Sequence, residues 1–157
     1  MAHVTVVSGD LLEQDVEVIV NAWNRNIIPW WLLIPQGVAG AIRRRAGKEP
    51  FRQVARAGAI PLGDAVLTGA GELSFEGIIH VAGISMWWRS SPDSVRRSVR
   101  SAMALVRQGG FASVAFPLIG AGTGGGSEEQ VLAMMREELE AIDYDGEVVV
   151  VRFAPTT

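Results

Sequence analysis

The chain has 157 residues, 48% of them hydrophobic and 20% charged, with a formal net charge of −3. That length suits one domain spanning 1–157, the apolar share is enough for a core, and the acidic balance argues against a general nucleic-acid binder. The absence of cysteine removes disulfides, thiol nucleophiles and thiolate metal sites, and His3 and His80 lack ligand spacing, so no metal is expected.

The longest apolar stretch, residues 27–34, falls well short of the ~20 residues that a bilayer requires, and Pro29 interrupts it. The first ten residues carry no basic region leading into an apolar run, so no secretory signal is expected and the cytoplasm is the expected location. Lys48 is the only lysine, a bias that fits genome composition better than a function.

In chain order, Val4 to Val7 alternates as a strand and meets the turn signal Ser8-Gly9-Asp10. Val16 to Trp23 is rich in β-branched residues and reads as a second strand, closing in Asn24-Arg25-Asn26. From Val38 a helical pattern sets Val38, Ala41 and Ile42 on one face and Arg43 to Arg45 towards solvent, with Gly47 ending it. Glu49 to Ala57 reads as a short helix. Ala65 to Thr68 and Ile78 to Ala82 read as strands on either side of Gly69-Ala70-Gly71.

Ser91-Pro92 opens the next helix as cap and first-turn residue. Val95, Val99, Ala102, Met103 and Val106 keep helical spacing until Gly109-Gly110. Its arginines 96, 97, 100 and 107 read as a solvated face. Ala112 to Pro117 is a strand, and Ser127 with Gln130 forms a capping box for a helix whose face is Val131, Met135, Leu139 and Ile142. Val148 to Phe153 is the last strand. Strands alternating with helices imply a three-layer α/β/α sandwich with a mixed, largely parallel central sheet.

The most informative segment runs from Phe116 to Ser127, with five glycines in the seven residues Gly120 to Gly126. It lies between a strand and a helix N-terminus, where backbone N–H groups and the helix dipole favour an anion. Gly120, Gly122 and Gly125 match the dinucleotide spacing G-x-G-x-x-G, a weak signal alone, because only one helix and one strand follow it. No Lys-Ser or Lys-Thr pair closes the run, which excludes a triphosphate P-loop. Physically the loop suits a diphosphate.

Several segments together resemble the macrodomain family. They are Gly9-Asp10-Leu11, then Val18 to Asn24, then Gly37 to Ile42 with Ala46-Gly47, then Leu67 to Leu73, Ile78 to Gly83 and Phe116 to Gly122. The resemblance covers nearly the whole chain and implies binding of ADP-ribose. Asp10, an acceptor at neutral pH, would take the adenine amino group with help from the Leu11 backbone, although Asp10 also reads as a cap for a helix beginning at Leu11. Asn24 would hold the distal ribose, and Asn21 reads as a structural strand-end residue. Gln36, Gly37 and Val38 would face the diphosphate from one side, and Ile119, Gly120, Ala121, Gly122, Thr123 and Gly124 from the other. Phe153 either packs on the adenine or belongs to the core.

The chain departs from the family pattern before Gly37, where Pro35 and Gln36 replace glycines and a proline removes one donor. Ala39 stands where one hydrolytic group carries an aspartate, and the glycine-rich loop has no acid. An enzyme of this kind would hydrolyse ADP-ribose from modified targets or small esters. Water held by the bound diphosphate would attack, with Asn24 and Gly122 as the catalytic positions and no cofactor. The alternative is a reader that binds ADP-ribose without turnover. The partner expected in either case is ADP-ribose, an ADP-ribosylated protein or an ADP-ribosylated small molecule. Nucleic acid enters only as such a target, and no membrane is involved. His80 reads as a core histidine. Trp23, Trp30, Trp31, Trp87 and Trp88 fit a cleft wall, loop packing or a dimer contact.

Overall fold

The computed structural model describes residues 2–22, 42, 44–58, 60, 63–82, 92–119 and 128–153. In chain order these form β1 (His3–Gly9), a 3-10 turn (Leu11–Glu13), β2 (Val18–Ala22), α1 (Glu49–Arg56), β3 (Ala65–Thr68) and β4 (Gly77–Val81). Then follow α2 (Pro92–Gln108), β5 (Ser113–Pro117), α3 (Glu128–Glu140) and β6 (Glu147–Phe153). Residues 42 and 44–46 are also helical. The strands make one six-stranded sheet in the order β1-β6-β5-β2-β4-β3, in which only the β3–β4 pair is antiparallel.

Period-two alternation divides the core into two layers. Val18 and Val20, Ile79 and Val81, Val114 and Phe116, and Val148 and Val150 point to one face. There they meet Val95, Val99 and Met103 of α2 and Val131, Met135 and Leu139 of α3. Ile19, Ile78, Ala115, Val149 and Val151 point to the other face and meet Leu11, Ile42, Phe51 and Val54. Helices therefore cover both faces of a largely parallel sheet, the three-layer sandwich that the alternation of elements predicts. Arg96 and Arg100 of α2 bridge to Glu138 of α3, and Arg97 to Asp64, so the arginine face is both solvated and ion-paired.

One polar group of side chains lies inside the second layer. Asn21 of β2 and His80 of β4 are register partners, and both are fully buried. Asn21 Nδ2 donates to His80 Nδ1 at 3.2 Å. The ring proton therefore sits on Nε2, which donates to Thr68 Oγ1 at 2.9 Å, and that hydroxyl donates to the Gly69 carbonyl at 3.0 Å. The edge of the ring packs against Phe51 with centroids 5.8 Å apart. His80 is thus a core histidine and Asn21 a structural one, in line with the sequence reading. Asn21 Oδ1 is buried without a hydrogen-bond partner among the described residues.

The loop between β3 and β4 locks the helix that ends at Ala46. Glu72 N–H donates to the Ala46 carbonyl at 2.9 Å, filling an acceptor that a helix end leaves open. Gly71 permits this approach: its φ is +60°, and a Cβ there would collide with the Ala46 carbonyl oxygen. Gly71→Ala should therefore cost at least about 1 kcal/mol in denaturant unfolding. Gly58→Ala, at φ +79° with nothing within 4 Å of the new Cβ among the described residues, should cost less. Equal losses would mean that the close approach to Ala46 is unimportant.

Burial holds the His80 pKa down, from 6.5 to about 3. Between those values the unfolded chain binds the proton and the folded chain does not, so stability rises with pH across the interval. The contribution is complete above the unfolded pKa and is lost as pH falls through the folded one, with a slope of up to about 1.4 kcal/mol per pH unit. Chemical denaturation of the wild type between pH 7 and 5 should show this slope, and His80→Gln should flatten it. An unchanged slope in His80→Gln would assign the acid sensitivity to other groups.

Candidate functional site

The parallel strands β1, β6, β5, β2 and β4 deliver their C-terminal ends to one edge of the sheet. Ligands of open α/β sheets bind outside such an edge, where loops diverge from neighbouring strands. Gly9 is level with Phe153, Pro117 with Val151, and Ala22 with Val81. Ile119 lies in the turn two residues past the end of β5. Asp10, Phe153 and Ile119 therefore follow one another along the edge in the order β1, β6, β5. Asn24 lies two residues beyond the end of the next strand, β2.

Asp10 is the best-defined member. Its backbone is extended, and its Oδ1 accepts the Leu12 N–H at 2.9 Å, capping the 3-10 turn. Its carbonyl accepts the Glu13 N–H at 3.1 Å and Gln14 Nε2 at 2.9 Å. These bonds fix the carboxylate and leave Oδ2 facing Arg45 at 3.7 Å, with the Asp10 side chain about one-third exposed. Asp10 is thus a cap, of a three-residue 3-10 turn and not of a longer helix, and it keeps one open acceptor. The N–H of Leu11, first in that turn, has no acceptor within it, while the Leu11 side chain is buried in the second core layer. Beside them Gly9 has φ +154°, and no described atom lies within 4 Å of where its Cβ would be.

Ile119 is fully buried in the first core layer, so it anchors the start of the glycine-rich loop by packing. Asn24, Gln36, Gly37, Val38, Gly120, Ala121, Gly122, Thr123 and Gly124 lie outside the described residues, as do the five tryptophans and the side chain of Phe153. Arg45 is exposed, as the sequence reading placed it, and is in addition a neighbour of Asp10. Its only sequence signal is a position in the last turn of a helix, where a cation suits the dipole. Gln14 and Thr68 likewise act through partners that the local pattern does not reveal.

An open depression of about 480 Å³ lies at the opposite edge, where β5 and β6 begin. Arg107, Phe111, Asp143 and Tyr144 are among its walls. The Tyr144 hydroxyl is already committed to the Phe111 carbonyl at 2.7 Å, and among the described residues the parallel strands enter the sheet at this end and leave it at the other. The C-terminal edge is therefore the candidate site. Among the described residues no group of three or more His, Asp or Glu side chains could hold a metal, and no helix is long and apolar enough to cross a membrane.

A Macro domain model matches residues 20–135. An uncharacterized protein of Aquifex aeolicus is 37% identical over 89% of this chain and 82% of its own length. O-acetyl-ADP-ribose deacetylase 1 of Pantoea vagans is 35% identical over 83% of this chain and 77% of its own. Among solved structures, the Oceanobacillus iheyensis macrodomain with ADP superposes with a TM-score of 0.82 at 29% identity, covering 96% of this chain and 83% of that one. A mutant of the same macrodomain with ADPR gives 0.81 at 26% identity, covering 96% and 84%. The family match over most of the chain, together with a sheet of the same build, settles the assignment: this chain belongs to the Macro domain family.

Proposed function

We propose that residues 1–157 form one cytoplasmic macrodomain that binds ADP-ribose along the C-terminal edge of the sheet and hydrolyses ADP-ribosyl linkages. The observation that carries this reading is the placement of Asp10. At the end of β1 stands a fixed carboxylate whose Oδ2 accepts no hydrogen bond among the described residues, beside a glycine with no described atom within 4 Å of where a Cβ would be. From β1 to β2 the edge spans three inter-strand steps, roughly 14 Å, which suits a nucleoside diphosphate carrying a second sugar. Asp10 takes the adenine amino group, and the segments of Gly37-Val38 and Gly120 to Gly124 give backbone N–H groups to the diphosphate. Asn24, past the end of β2, holds the distal ribose.

The chemistry is an addition of water across the scissile bond, releasing ADP-ribose and the acid or side chain it carried. Neither residues 23–41 nor residues 119–127 contain an aspartate or glutamate, so no carboxylate base comes from these loops. A diphosphate oxygen of the substrate orients the water, and backbone donors stabilise the charge that develops. His80 takes no part: it is buried in a closed chain of hydrogen bonds and stays neutral down to about pH 3. The same lack of acids favours a second reading, a module that binds ADP-ribose without turnover.

Calorimetry should show ADP-ribose binding far more tightly than AMP or NAD, and Asp10→Ala should weaken it by roughly 1–3 kcal/mol, the scale of a charged hydrogen bond. NAD binding as tightly as ADP-ribose would contradict this reading. In release assays, Asn24→Ala and Gly122→Glu should abolish turnover, since a shift of about 1 Å in a reacting group costs about 10²-fold, whereas Lys48→Ala should leave it nearly intact. Tight binding with no turnover of any ADP-ribosylated substrate would establish the reader instead.

A further inference from the structure

Arg45 and Asp10 meet across the fold, one from the helix that ends at Ala46 and the other from the end of β1. Their separation of 3.7 Å is that of an ion pair and is too long for a hydrogen bond. The lone pairs of Oδ2 are therefore not consumed by Arg45, and the guanidinium keeps its donors. Oδ1 already accepts the Leu12 N–H, so Oδ2 is the less committed oxygen of the carboxylate, and it faces the guanidinium. Half of the Arg45 side chain is exposed, which lets it shift by the short distance a ligand contact needs. Among the described residues Oδ2 thus has no hydrogen-bond donor and the Arg45 guanidinium no hydrogen-bond acceptor, and the two stand side by side.

We propose that Arg45 is a specificity-determining residue for the nucleobase, reading the six-position of a purine together with Asp10. Asp10 accepts from an amino group there, and Arg45 donates to a keto group. This rests on the ADP-ribose reading above, and it widens the ligand class to diphosphate riboses of 6-keto purines. The pair admits both bases, with preference for the amino form, because a keto oxygen gains Arg45 at the expense of facing the Asp10 charge. Without Arg45 the six-keto oxygen faces the carboxylate with no donor beside it.

Calorimetry with ADP-ribose and its hypoxanthine analogue, on wild type, Arg45→Ala and Arg44→Ala, tests this. Loss of a charged hydrogen bond corresponds to about a tenfold change in affinity or more. Arg45→Ala should weaken the hypoxanthine analogue at least about tenfold more than it weakens ADP-ribose. Arg44→Ala, which removes the same charge from an adjacent exposed position, should leave the ratio of the two affinities unchanged. Melting curves of the variants establish that they are folded. An affinity ratio that Arg45→Ala does not alter, in a protein that still binds ADP-ribose, overturns the proposal and leaves the ADP-ribose reading standing. A wild type that binds neither ligand overturns both.

Discussion

The parallel pairing of β1, β6, β5, β2 and β4 is the constraint on which the rest of this molecule depends. A parallel strand cannot return through a hairpin, so its chain must cross a face of the sheet before pairing again. Each crossing here brings apolar surface to that face: α2 and α3 to one side, and Phe51, Val54 and Ile42 to the other. The same rule sends every loop that follows a parallel strand to one edge. Asp10, Ile119 and the end of β2 at Ala22 share that edge for that reason, although they are far apart in sequence.

That edge needs rigid support, and two features, the first of them buried, supply it. The chain from Asn21 through His80 and Thr68 to the Gly69 carbonyl ties β2, β4 and β3 together just short of the point where β2 gives way to the segment holding Asn24. Fully enclosed, it keeps a neutral imidazole and a fixed tautomer. The contact of Gly71 with Ala46 then holds the helix that carries Arg45. The β3–β4 loop, remote from the glycine-rich loop in sequence, thereby acts on the position of a residue beside Asp10.

Much of this was legible in the sequence. Ala65 to Thr68 is read within its true bounds because β-branched residues end cleanly at a glycine pair, and the faces of α2 and α3 follow from helical spacing. The ends of strands are less legible. Gly9 and Gly77 belong to strands because neighbouring backbones pair with them, which a residue of weak β propensity does not announce. His80 reads as core from its apolar neighbours, but its partners Asn21 and Thr68 come from other strands. Arg45 is hidden in a run of three arginines, and only the tertiary fold distinguishes it from the exposed Arg44. Asp10 shows the limit most plainly: local sequence gives a cap and the family resemblance a ligand role, and the structure shows the cap, with Oδ2 accepting no hydrogen bond among the described residues.

The account stands or falls on which edge of the sheet receives the ligand, and amide NMR shifts during titration with ADP-ribose measure this most directly. The largest changes should fall on Gly9 to Leu12, Ala22, and Leu118 with Ile119, at the C-terminal ends of the parallel strands. Changes confined to Arg107 to Ala112 and Asp143 to Gly146, around the depression at the opposite edge, would contradict it.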